Sequence, residues 1–365
     1  MKRESPWNAP GPGKVVHVVG CVTDEVFSFL GPATHTLAAS GLEQEVVMID
    51  ALRFRHHVAS LHESAELVLA PSLRNPLRQW HAVLQACRPA LVSAPLHAVH
   101  LHGLLPSLVG AWALRSEGVD APIFYSPHGS RSIGKLRFIG ALAWLLVRTA
   151  LRGSRSAAIV NVPRESQAFE HWKPALLVES PVAEAYFNAL RNEARHPLIV
   201  SGGRDPGVRS TELFAQLAVL LGGEDLRTSF NWIGSVDEVS RQRLNAANVG
   251  VFDVTTDAEC ASRLAAGWIY LAPGGTRGFP LFLLQAMAAR LPCVAFDCPQ
   301  HREVIRDRET GFLCQTEGEM IDRIATLIDN PALRARLGAA ASADARRRFG
   351  ASEFSAKLRA AYALP

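Results

Sequence analysis

No stretch of this 365-residue chain is long and apolar enough to span a bilayer. The longest, Phe138 to Val147, ends at Arg148 after ten residues, about half of what a crossing helix needs, so an integral membrane protein is not expected. Cysteine is sparse. Cys21, Cys87, Cys260, Cys293, Cys298 and Cys314 have neither the paired spacing of a zinc site nor the density of a disulfide scaffold, and a reducing cytoplasm is the expected compartment. No Gly-x-Gly-x-x-Gly follows an apolar run and no Walker sequence occurs, which removes support for dinucleotide oxidoreductases and P-loop enzymes. The net charge of +4 is modest and aromatics do not interleave with the basic residues, so a nucleic-acid partner is not expected. The N-terminal Met1-Lys2-Arg3-Glu4-Ser5-Pro6-Trp7 leads into a Pro/Gly-rich stretch and makes a poor signal peptide. One further absence is local. Between Asp120 and Glu165 there is no acid, while Arg131, Lys135, Arg137, Arg148, Arg152, Arg155 and Arg164 are present; such a basic field favours an anionic surface or substrate.

What is present is a repeated alternation. An apolar content of 48% with 20% charge describes a globular chain, and the length suits two domains of roughly 150 to 200 residues. Runs rich in Val and Ile at 15–20, 45–50, 90–94, 122–125, 157–162 and 175–178 read as buried parallel strands. Segments 30–40, 104–117, 134–152 and 163–171 read as the helices between them. The series restarts with strands at 198–201, 229–234, 249–254, 268–272 and 293–296, separated by helices at about 211–221, 236–246 and 280–290. This is a doubly wound α/β pattern, twice over. The expected division is a Rossmann-like domain over 1–187, a polar linker over 188–197, a second Rossmann-like domain over 198–348 and a C-terminal helix over 349–365.

Two glycine-bearing turns mark the second half. The first leaves Leu198-Ile199-Val200-Ser201 through Gly202-Gly203-Arg204-Asp205-Pro206-Gly207-Val208-Arg209 and enters a helix. Such a turn offers amides and basic side chains to a phosphate at the carboxyl end of a sheet, and equally suits a structural turn with exposed arginines. The second passes Arg277-Gly278-Phe279-Pro280-Leu281 and opens a helix whose N-terminus can hold a phosphate on its amides. That helix is apolar on most faces apart from Gln285, and Leu291-Pro292 stop it. In the first half, Tyr125-Ser126-Pro127-His128-Gly129 ends a strand with a histidine available for hydrogen bonding, or for capping the next segment, and a glycine that allows close approach.

In this order the residues resemble retaining GT-B glycosyltransferases of family 4, the glycosyl transferases group 1. The resemblance rests on the Gly278-Phe279-Pro280 loop, Leu283-Leu284-x-Ala286-Met287-Ala288-Ala289, Leu291-Pro292-x-Val294-Ala295, Glu303 and Thr310-Gly311-Phe312-Leu313. It also rests on Arg204 with Arg209 in place of a Gly-Arg and Lys pair, and on His128 in a Thr-Pro-His-Gly-like turn. It covers most of the chain and is strongest from Leu198 to Leu313. Two family glutamates are replaced, one by Arg277 and one by Gln285.

The resemblance implies two Rossmann-like domains facing across a cleft, with the last helix crossing back to the first. It implies retaining transfer from a nucleotide-sugar donor to a glycan or lipid-linked acceptor in polysaccharide or glycolipid biosynthesis, with no obligatory metal or other cofactor. Arg204 and Arg209 would carry the donor diphosphate, Gln285 the ribose, and His128 the donor sugar. Gly20, Gly203, Arg277, Gly278, Phe279, Pro280 and Leu281 would complete the donor site, although a single glycine followed by Cys21 is a weak form of the loop after the first strand.

Several residues keep two readings. Gln285 offers one acceptor and one donor where a carboxylate offers acceptors only. Arg277 suits a bidentate pair with an acidic donor sugar, and equally a plain loop position. The stretch 131–155 combines basic flanks with Trp144 and leucines, which suits a helix lying on an anionic membrane at the inner face or a buried core helix. His97, His100 and His102 lie in one strand-like run, where alternation puts His100 and His102 on one side; with no acid or cysteine nearby, metal binding is not expected there, nor at His56, His57 and His62. Two other functions stay open: a catalytically silent GT-B module binding a nucleotide, lipid or partner, and a GT-B sugar-nucleotide epimerase.

Overall fold

The computed structural model describes residues 13–19, 22–50, 55–73, 75–93, 95–103, 113–114, 116–118, 121–128, 149, 155–161, 174–203, 208–222, 228–254, 256–274 and 279–365. The chain forms two compact units, Met1–Pro181 with Ser352–Pro365, and Val182–Ala351.

The first unit holds seven strands, β1 (Lys14–Val19), β2 (Glu43–Ile49), β3 (Ala65–Ala70), β4 (Leu96–His102), β5 (Ile123–Ser126), β6 (Ser156–Val160) and β7 (Ala175–Leu177). They pair in parallel in the order β3-β2-β1-β4-β5-β6-β7. β1 is buried along its whole length, as a strand covered on both faces must be. Helix α1 (Asp24–Ala39) begins where the Thr23 hydroxyl accepts from the Val26 amide; it starts six residues before the segment read from sequence, because Gly31 and Pro32 are accommodated inside it. Helix α2 (Arg55–Val58) is a single turn, and α3 (Pro76–Val92) is long.

The run 90–94, expected as a strand, instead ends α3, and the strand follows as β4. Val83, Leu84, Cys87, Ala90 and Leu91 recur at helical spacing and are all buried, and a five-residue apolar window cannot tell a buried helix end from a strand. β3 was not expected, because it is half-exposed and lacks a continuous apolar run. The expected helices at 134–152 and 163–171, most of 104–117 and nearly all of the basic stretch 131–155 lie outside the described residues. The C-terminal helix (Ala351–Ala361) lays Phe354, Leu358, Ala361 and Tyr362 into a core with Phe29, Ala33 and Phe124.

The second unit winds β8 (Leu198–Gly202), β9 (Ser229–Ile233), β10 (Gly250–Phe252), β11 (Ile269–Ala272), β12 (Cys293–Phe296) and β13 (Phe312–Cys314) into a parallel sheet of order β10-β9-β8-β11-β12-β13. Its helices are α4 (Glu184–Phe187), α5 (Val208–Leu221), α6 (Glu238–Ala246), α7 (Asp257–Ala265), α8 (Leu281–Ala288), α9 (Pro299–Arg302), α10 (Glu317–Asp329) and α11 (Pro331–Phe349). Asp237, Thr256, Thr316 and Asn330 each cap a helix by accepting an amide. The stretch 188–197, polar enough to read as a linker, is pinned to this unit. Arg191 donates to the carbonyls of Ala265 and Gly267, the Ala194 amide donates to Ala266, and Trp268 Nε1 donates to the Ala194 carbonyl at 2.8 Å.

Candidate donor site

In each sheet the strand order reverses once, and ligands of doubly wound sheets bind outside the carboxyl ends of the strands at that reversal. In the second unit the reversal lies between β8 and β11. β8 ends at Gly202-Gly203. A Cβ on Gly202 would strike the Ile233 carbonyl and come within 2.6 Å of Phe282 in the first turn of α8, so only glycine lets β8 pass so close. β11 runs into Pro273-Gly274, where a Cβ on Gly274 would strike the Ser210 hydroxyl in the first turn of α5. The two loops that leave the reversal are thus each packed against the opening turn of the helix that follows the other strand. Ser210, Gly274 and Phe282 were not singled out from sequence; the small residues at close approach were their only signal.

The sequence of α8, Leu-Phe-Leu-Leu-Gln-Ala-Met-Ala, is apolar nearly throughout, and Leu283 to Ala288 are buried. Pro280 precedes it without a side-chain cap, and its first turn holds no acidic residue, so within the helix itself nothing offsets its positive end. Gln285 is 8% exposed, and its Oε1 is buried with no hydrogen-bond partner among the described residues. A buried polar atom left unpaired costs about 1–3 kcal/mol, so Gln285 Oε1 is open to a hydrogen-bond donor.

Of the residues named from sequence, Gly203 follows β8, and Phe279, Pro280 and Leu281 form the entry to α8, with the Phe279 ring 5.7 Å from that of Phe349. Arg209 lies in the first turn of α5, its side chain outside the described residues. Gly20, Arg204, Arg277 and Gly278 also lie outside the described residues.

In the first unit His128 follows β5 with a left-handed backbone, φ 43°, and is 8% exposed. Its Nε2 is 2.8 Å from His102 Nδ1, whose ring in turn places Nε2 3.1 Å from His17 Nδ1. On the other side His128 Nδ1 is 3.4 Å from Asn161 Nδ2. His100 stacks on His102 with ring centres 4.0 Å apart, and its nitrogens meet Tyr362 Oη at 2.7 Å and Ser126 Oγ at 2.8 Å. Burial drives every one of these rings to the neutral form. It lowers His17 to about 4, the nearby Gln44 side chain opposing, and lowers His128 to about 3. His100 and His102 are held well below their usual range by burial first and by neighbouring histidines second.

The cluster differs from the sequence reading in its members. His17, His100 and His102 bring a nitrogen each within 4.8 Å of one another, whereas His97 Nε2 meets the Tyr362 carbonyl at 3.0 Å. His17 escaped notice because it stands alone in the apolar run of β1, 85 residues from His102.

Residues 182–330 match the family profile described as glycosyl transferases group 1. The second unit belongs to that group. Consistent with this, the chain is 26% identical to a phosphatidyl-myo-inositol mannosyltransferase of Mycobacterium leprae, covering 82% of this chain and 79% of that one. A glycosyltransferase of Haemophilus influenzae whose function is uncharacterised is 43% identical over 68 residues, but that match spans only 18% of this chain and 19% of the relative. The structure of Anabaena HepE in complex with UDP-glucose matches with a TM-score of 0.71 at 14% identity, covering 95% of this chain and 98% of that one. The chain therefore carries a group 1 glycosyltransferase domain over residues 182–330, within the GT-B fold of two parallel-sheet α/β units. Among the described residues, no helix of this glycosyltransferase is long and apolar enough to cross a membrane.

Proposed function

We propose that this group 1 glycosyltransferase moves a sugar, with retention, from a nucleotide diphosphate sugar to a glycan or lipid-linked acceptor, without an obligatory metal. The observation that carries the reading is the Gln285 Oε1, buried and unpartnered among the described residues, in α8, whose first turn packs on the end of β8. A ribose hydroxyl would donate to it, while the uncapped opening of α8 and the cations Arg204 and Arg209 would stabilise charge growing on the leaving diphosphate. The leaving phosphate would act as base, and His128 would orient the donor sugar. Gly20, Gly203, Arg277 and Gly278 keep the donor-binding roles that the family resemblance assigns. A lipid-linked acceptor is supported by the name of the mycobacterial relative and by the acid-free stretch 131–155, which would rest on an anionic membrane at its cytoplasmic face.

A thermal-shift panel of UDP, GDP and ADP with their sugars, followed by transfer and product analysis with the best donor, tests the reading. At least one nucleotide sugar should raise the melting temperature, and Gln285→Leu should abolish that rise. A variant that binds as well as the native protein would overturn the assignment of Gln285, and a product still carrying its nucleotide would mark an epimerase.

A further inference from the structure

The hydrogen-bonded groups around His128 run across the first sheet one strand at a time. Gln44 is on β2, His17 on β1, His102 on β4, His128 follows β5 and Asn161 follows β6, and these strands are consecutive in the sheet. The direction of the protons along this row can be worked out from its far end. Gln44 Nε2 donates to the Thr34 carbonyl at 2.8 Å, which fixes the amide and leaves Oε1 as an acceptor. Gln44 Oε1 and His17 Nε2 are both buried without a partner at hydrogen-bond distance among the described residues, and Gln44 is the side chain that favours the proton on His17. One small adjustment pairs the two, with His17 Nε2–H donating.

A neutral imidazole has one hydrogen. His17 Nδ1 is then bare and accepts from His102 Nε2–H; His102 Nδ1 is bare and accepts from His128 Nε2–H; His128 Nδ1 is bare and accepts from the Asn161 amide. The neighbouring His100 has the same tautomer for an independent reason. Ser126 donates its only hydrogen to the Ile159 carbonyl, so at His100 it must accept from Nε2–H, and His100 Nδ1 accepts from Tyr362. This pattern also argues against a metal among His17, His100 and His102, because each bare nitrogen already has an N–H or O–H donor.

We propose that Gln44, acting through His17 and His102, is a positioning residue that holds His128 in the Nε2–H tautomer and so presents its Nδ1 as a hydrogen-bond acceptor. The opposite order would leave a donor hydrogen of His128 on Nδ1 and a bare His17 Nε2 facing the Gln44 oxygen, two acceptors in contact. For a donor sugar, the consequence is that the His128 ring accepts from a hydroxyl, which would take the place of the Asn161 amide at 3.4 Å, rather than giving to a carbonyl or ether oxygen. This last step rests on the donor role proposed above for His128.

Histidine-selective 15N labelling of the full chain tests the proposal, with signals assigned by single His→Gln variants. In the native protein His17, His100, His102 and His128 should each show a protonated Nε2 and a bare Nδ1. In Gln44→Met, where His17 Nε2–H loses its acceptor, the His17, His102 and His128 tautomers should invert while His100 stays as it is. Gln44→Glu, whose protonated carboxyl can both donate to Thr34 and accept from His17, should restore the native pattern. With UDP-glucose and GDP-mannose as probes, KM in Gln44→Met should rise about fivefold, the equivalent of one hydrogen bond, with kcat changed less. A native His128 protonated on Nδ1, or one equivalent of zinc retained after dialysis, overturns the proposal, and the native spectrum decides this even if Gln44→Met does not fold. An unchanged tautomer in folded Gln44→Met removes Gln44 from the role. The predicted spectra with no change in KM would leave the row standing and remove His128 from the donor site.

Discussion

The two units wind their sheets in the same way, yet they treat buried polar groups at the carboxyl ends of the strands in opposite ways. In the first, four imidazoles are buried together and hydrogen-bonded to one another and to Ser126, Tyr362 and Asn161, and the row closes once His17 Nε2 pairs with Gln44 Oε1. In the second, one glutamine stands in an apolar helix with its carbonyl oxygen unpaired among the described residues. A satisfied network is a rigid part of the protein, whereas an unsatisfied acceptor stays open to a donor from outside the chain. The difference teaches that burial alone does not mark a binding group; what matters is whether the protein itself completes the hydrogen bonds.

Acid should separate the units most strongly. His17 and His128 have folded pKa values near 4 and 3, below the ordinary 6.5 because of burial. The unfolded chain therefore takes up protons first, so their contribution to stability is complete above pH 6.5 and is lost as pH falls below it. Each removes about 1.4 kcal/mol, or about 3 kcal/mol together, between pH 7.5 and 5.5. The second unit has His301, lowered in the same direction by burial, so its loss should be smaller. Hydrogen exchange at pH 7.5 and 5.5, resolved by peptide, measures both, and equal losses would break the comparison.

Gly202→Val should cost the second unit about 3 kcal/mol, since the new side chain meets the Ile233 backbone, which cannot yield as a flexible side chain can. Urea denaturation reads the loss, and the thermal response to nucleotide sugars should disappear with it. The sharpest contrast is a matched pair of variants. His102→Leu leaves both its histidine partners without a bond and should destabilise by about 2 kcal/mol, whereas Gln285→Leu removes an unpaired acceptor and should stabilise by about 1 kcal/mol. If both change melting temperature in the same direction, the distinction between closed and open polar groups fails. The smallest effect is expected from Tyr362→Phe, which removes the hydroxyl facing His100 Nδ1 and should cost about 1 kcal/mol, visible as faster exchange in the C-terminal helix.

Much of the fold was legible. β12 has the limits read from sequence, Cys293 to Phe296, because Leu291-Pro292 break the preceding helix and the run is short and fully apolar. β3 escaped because an edge strand needs no continuous apolar run, and α7 because its buried face is built of Cys260, Ala261, Leu264 and Ala265, mostly small side chains. Gln285 was legible through its place in a motif. The imidazole row was not. His102 is 85 residues from His17 and 26 from His128, and only the lateral pairing of β1, β4 and β5 brings them into line.

By itself the sequence determined that two parallel sheets would form, since short branched apolar runs between amphipathic helices bury well only in that arrangement. It also determined which turns could approach a phosphate, since glycines and helix starts are local features. The tertiary structure decided which buried polar atoms are satisfied and which are left open. A hydrogen bond between distant residues depends on strand order and register, and these are properties of the assembled sheet that no local stretch of chain contains.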